Sequence, residues 1–186
     1  AITVPYIADA GKRVTFEWTC WSERAVDWRY LAPLARALKK AKFNQLRFNF
    51  LRFNVTPGNV DWFGDFSAVV HNVRMIARLA RLGRCRGILF DPEAYQHPLW
   101  RYQSQKWAKQ KSFREYCERV RWCGRQFMRA ICEEYPNVVV LMCWAYSGPY
   151  YECRGDPERL PQVSYGLLPP FIDGMLEACH PAATII

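Results

Sequence analysis

The spacing of apolar and polar positions changes rhythm repeatedly along this chain, and each change marks an element. "RVTFEWTCW" alternates, with Val14, Phe16 and Trp18 on one side and Thr15, Glu17 and Thr19 on the other, which is the period of a strand. Before it, "AITVPYIA" is a short apolar run closed by "DAGK". In "VDWRYLAPLARALKKAK" the period lengthens to that of a helix, with Leu31, Leu34, Ala35 and Leu38 on one stripe. Ser22 or Asp27 can cap it, and Pro33 falls near its first turn, where proline is tolerated. "QLRFNFLRFNV" is built of strand formers and ends at the turn "TPGN".

Residues 65–83 predict a second helix, closed by Gly83. "RGILFDPEAY" follows as a strand too apolar to be half exposed. A polar, aromatic loop then leads to a long helix over 112–135, opened by Ser112 with Glu115 as a capping box and stopped before Pro136. "NVVVLMCWAYS" is another apolar strand, a last helix is expected near 168–179, and "ATII" begins one more strand.

Strands that stay apolar throughout, alternating with helices, indicate a parallel α/β sheet covered on both faces. Of the two common architectures, a Rossmann-like sheet calls for a glycine-rich turn after an early strand, and no GxGxxG occurs. A (β/α)8 TIM-barrel-like fold gathers its chemistry at the strand C-termini, where this chain carries "TCW", "FNVTPGN", "FDPEAY" and "CWAYSGP". The expectation is therefore one (β/α)-barrel-type domain over residues 1–186. About five strands and four helices are visible, against the eight strands of a closed barrel. The barrel is accordingly expected to be incomplete, a partial chain cut short at its C-terminal end.

Composition narrows the function classes. Apolar residues make up 51% of the 186, enough for one substantial core. The aromatic share of 16% suits a site that stacks flat ligands or sugar rings as well as an aromatic core. The net charge of +9 would suit a nucleic-acid or polyanion binder. Its arginines are dispersed on helix faces, as Arg74, Arg78 and Arg81 are, so nucleic acid is not the expected partner. The eight cysteines form no CxxC pair and no zinc-like spacing with histidine, so neither metal nor cofactor is expected. No apolar run approaches a membrane span. "AITVPYIADAGK" reads as a strand and turn rather than a signal peptide. With a leader already removed the compartment would be periplasmic or extracellular, and otherwise cytoplasmic.

"GILFDPEAYQ" carries the candidate chemistry. Side chains alternate along a strand, so Leu89, Asp91 and Glu93 point one way and Phe90 and Pro92 the other. With Phe90 on the helix side, both acids face the mouth of the sheet. Two neighbouring carboxyls cannot both ionise cheaply, which prepares one as an acid and leaves the other as nucleophile or base. That is the equipment of glycosidic cleavage, with Asp91 and Glu93 as catalytic candidates. A second carboxylate on another strand would suit the usual separation better, and Glu17, Asp61, Glu152 and Asp173 are the candidates. Asn54 ends its strand, where its amide can meet a sugar hydroxyl. Asp61, Trp62, Tyr95, Trp144 and Tyr146 also fall at or after strand ends and complete the expected substrate-binding set.

The segments "FLRFNVTPGNVDWF", "CRGILFDPEAYQ" and "VSYGLLPPFIDGMLEA" resemble those of a group of uncharacterised bacterial proteins described as glycoside-hydrolase-like (β/α)-barrels. The likeness runs over about residues 14 to 180. It implies a barrel with a carbohydrate site and singles out Asn54, Asp61, Asp91, Glu93 and Tyr95. Two features depart from the group: the chain stops early, and "LRFNFLRFN" repeats itself. The leading expectation is a glycoside hydrolase acting on carbohydrate. The alternatives are a non-catalytic carbohydrate-binding protein and, third, a basic polyanion binder.

Overall fold

A computed structural model describes residues 2–7, 13–44 and 47–186. In chain order the elements are β1 (Pro5–Ile7), β2 (Arg13–Thr15), α1 (Trp28–Lys40), β3 (Phe50–Asn54) and α2 (Ser67–Leu82). They continue with β4 (Gly87–Asp91), α3 (Phe113–Glu134), β5 (Val139–Met142), α4 (Ser147–Glu152), α5 (Leu168–Glu177) and β6 (Thr184–Ile185). Strands β3, β4, β5 and β6 form one parallel sheet in that spatial order, and β1 pairs with β2 as a separate antiparallel hairpin. Ile2 extends the sheet on the outer side of β3, its amide donating to Phe50 O at 2.7 Å and its carbonyl accepting from Arg52 N at 3.0 Å.

The helices arise where the periodicity and caps placed them. Asp27, not Ser22, caps α1 by accepting from Arg29 N at 2.8 Å. Ser112 and Glu115 close the reciprocal capping box of α3. The "DAGK" turn, residues 9–12, and the first two residues of "QLRFN" lie outside the described residues. Two stretches differ from expectation. Phe16–Trp18 form a 3-10 turn in which Phe16 and Glu17 are both buried. The loop after β5 folds into α4 and a 3-10 turn, Pro157–Gln162.

The eight-stranded barrel does not form. The described parallel sheet has four strands in an open order, with β3 and β6 at opposite edges and β6 only two residues long. The alternating segment that would have supplied an early barrel strand has gone into the hairpin and the 3-10 turn. The α/β class and the parallel direction stand; closure does not.

One face of the sheet carries Leu51, Phe53, Ile88, Phe90 and Val140, all fully buried beneath α2, α3 and α5. The opposite face carries Phe50, Arg52, Leu89 and Leu141, which are half-buried. Continuous apolar strands predict cover on both faces; the second face is covered less completely, with Asn54, Asp91 and Val139 buried and the other four side chains half-buried. Trp21 stands at the centre of the core, its ring within 6.4 Å of Phe53, Trp62, Phe66, Phe90, Trp100, Phe127 and Phe171. Against this layer α3 and α5 meet backbone to backbone. A Cβ on Gly124 would stand 2.1 Å from Phe171 O, and one on Gly174 would stand 2.0 Å from Arg121 O.

Candidate functional site

The site grows from the alternation of β3 and β4. Phe53 and Phe90 turn into the core, so Arg52 and Asp91 lie on the opposite face, where Asn54 and Asp91 are register partners. Arg52 Nη2 donates to Asp91 Oδ2 at 2.5 Å, with the arginine side chain 28% exposed and the aspartate 4%. The other oxygen, Asp91 Oδ1, accepts from Glu93 N at 3.1 Å. Both oxygens of Asp91 are therefore engaged, one by a cation and one by its own loop. The hydrogen bond to Asp91 raises the Arg52 pKa against the desolvation that lowers it, and Tyr95 and Glu17 add to the rise. Glu17 is buried in the 3-10 turn and accepts from Val4 N at 3.2 Å.

Glu93 lies just past the end of β4 and is half-buried. It accepts from the Tyr95 hydroxyl, and that bond is the main reason the phenol is pushed up to about 12. The Tyr95 ring leans on Trp18, centroids 5.5 Å apart at 50°, and both rings are exposed, at 51% and 41%. On the other side stands Tyr165. Its hydroxyl accepts from Ala94 N at 3.4 Å, and its backbone amide donates to Glu152 Oε2 at 3.0 Å. Trp144 packs edge-on to Tyr165 at 4.4 Å. The two acids of "FDPEAY" have different partners. Asp91 is fixed by Arg52, and Glu93 stands among aromatic rings, with Glu152 accepting from Tyr165 N.

The remaining expected residues separate into two groups. Trp62 is core: it is 1% exposed and donates from Nε1 to Leu99 O at 3.0 Å, so it offers no platform to a ligand from outside. Asn54 is fully buried; its Oδ1 accepts from Thr56 N at 3.0 Å, and among the described residues its Nδ2 has no partner, as is also true of Thr56 Oγ1 and Trp21 Nε1. Tyr146 donates to Asp173 Oδ1 at 2.6 Å, away from Glu93, and burial followed by that bond raises its pKa.

Asp61 belongs to a cleft of about 270 Å³ formed by the turn after β3 and the loop after β4. Its carboxylate accepts from Phe63 N at 2.8 Å and from Trp107 Nε1 at 3.0 Å, with Lys106 Nζ 4.0 Å away. None of Arg52, Asp91 and Glu93 lines this cleft.

Arg52, Trp18 and Tyr165 are functional candidates that sequence reasoning missed. Arg52 had a signal, a charge inside an otherwise apolar strand two residues before Asn54. By pattern Trp18 belongs to a strand face, and Tyr165 reaches the site only through the fold. Among the described residues no three His, Cys, Asp or Glu side chains group to hold a metal, and no helix is long and apolar enough to cross a membrane. Compared with protein-family models, curated proteins and solved structures, the chain matches none.

Proposed function

We propose that the chain acts on carbohydrate at these strand ends, as a glycoside hydrolase with Glu93 as the proton donor. The observation that carries this reading is the Glu93 carboxylate held by Tyr95 directly beside the exposed Trp18–Tyr95 ring pair. A sugar ring stacks on such faces through its C–H groups, while a carboxyl at the edge reaches the glycosidic oxygen. Asp91 is the positioning residue. Clamped by Arg52, it accepts from Glu93 N and so sets where the loop carries the acid. Glu152, which accepts from Tyr165 N, is the carboxylate available to activate water or attack the sugar.

Glu93→Gln and Glu152→Gln, each assayed on aryl glycosides and polysaccharides, test it. Each is expected to lower turnover about a thousandfold, the scale of a lost general acid or base. Activity that survives both replacements removes these acids from the mechanism. The full engagement of Asp91 favours a second reading, in which the aromatic mouth binds glycan without cleaving it. Binding on a glycan array with no turnover of any substrate would select it.

A further inference from the structure

The cleft at Asp61 sets polar side chains into a wall that also carries Val60, Pro98 and Leu99, and its chemistry bears on substrate length. Its walls hold their shape without a ligand. The Gln105 side-chain amide donates to Pro98 O at 3.1 Å, Leu99 O at 3.1 Å and Arg101 O at 2.9 Å, which fastens the loop onto itself. Asp61 is fixed at both oxygens by Phe63 N and Trp107 Nε1. Each carboxylate oxygen has further lone-pair capacity, and Gln105 Oε1 is an acceptor left over once its NH2 group is spent. The Asn59, His97 and Ser104 side chains on the same walls hold no hydrogen bond to any described residue.

Fixed acceptors with free donors and acceptors around them, and one carboxylate balanced by Lys106, suit a neutral ligand dense in hydroxyls. A phosphate would meet the Asp61 charge, and an apolar ligand would strip water from all these groups at a cost. The position is equally informative. His97 lies four residues after Glu93, so their Cα atoms are at most about 14 Å apart, a span that a short oligosaccharide covers.

We infer that this cleft is a distal sugar subsite, and that the substrate is an oligosaccharide or polysaccharide rather than a single glycosyl unit. This rests on the carbohydrate reading of the Glu93 site. Asp61 and Gln105 accept from sugar hydroxyls, and Asn59, His97 and Ser104 complete the contacts.

The test compares a long and a short substrate of the same linkage, such as a hexasaccharide against the aryl monoglycoside, in Asp61→Asn and in Asn59→Ala with Ser104→Ala. The second variant changes only exposed groups and guards against a folding defect in the first. The kcat/KM preference for the long substrate should fall about tenfold, through KM, as expected for lost hydrogen bonds. An unchanged preference in both variants overturns the subsite. Glu93→Gln separates the two readings. If it abolishes turnover at both lengths while the cleft variants keep the preference, the reaction centre stands and the subsite falls. If Glu93→Gln remains active, the reaction centre falls. The cleft is then judged by calorimetry with the hexasaccharide, where equal affinity for the parent and both cleft variants overturns it.

Discussion

Arg52 and Asp91 set the strand end on which the proposed chemistry depends. Removing a charge's partner while the charge remains buried costs far more than the pair is worth. Arg52→Met should therefore destabilise the fold by about 3 kcal/mol, read as a lower urea midpoint. Adding Asp91→Leu should restore much of that loss. A single variant as stable as the parent would show that water, not Arg52, solvates Asp91. Parity along one strand was enough to place Asp91 opposite Phe90, because that depends only on local alternation. The Arg52 partnership was not legible, because it depends on how two strands 39 positions apart in sequence align. Trp62 and Asn54 show the same limit: both lie at or after a strand end, and both are buried by contacts with segments distant in the chain.

At the level of elements, the helices were readable from caps and periodicity, down to the capping box of α3. Trp18 fits a strand by pattern, because an alternating run of nine residues satisfies a strand template, while in the fold Val4 N donates to Glu17 and Phe16–Trp18 form a 3-10 turn. The close approach of α3 and α5 was also unreadable, since a glycine inside a helix has no side chain with which to advertise a contact. Alanine would gain about 1 kcal/mol in helix propensity at either position. Here, however, its methyl would meet a carbonyl oxygen of the facing helix. Gly124→Ala and Gly174→Ala should each destabilise by about 2 kcal/mol, seen as a lower thermal midpoint. A raised midpoint would mean that the two helices part without cost.

For the whole molecule, the α/β class followed from apolar strands alternating with helices, whereas barrel closure did not. Closure is a property of strand number and edge pairing, to which no single segment testifies. The charge of +9 was legible, and its distribution is now visible: Arg29, Arg52, Arg74, Arg114, Arg121 and Arg125 are all paired with carboxylates. Those carboxylates govern behaviour in acid. Hydrogen bonds from Arg121 and then Arg125 hold Glu177 at about 2, below its ordinary 4.5. A carboxyl depressed by folding stabilises fully above its unfolded value, and that contribution is lost as pH falls towards the folded one. Glu177→Gln should thus be less stable than the parent at neutral pH, with the gap closing between pH 4.5 and about 2. Denaturant titrations across that range measure it, and a gap independent of pH would rule the linkage out.

The threefold grip of Gln105 on its own loop has a kinetic corollary. A wall already fastened need not be ordered when a guest arrives, so little conformational entropy is surrendered on docking. Free and occupied forms should then superimpose along this stretch, and the speed of capture should be set by diffusion and orientation rather than by a folding step.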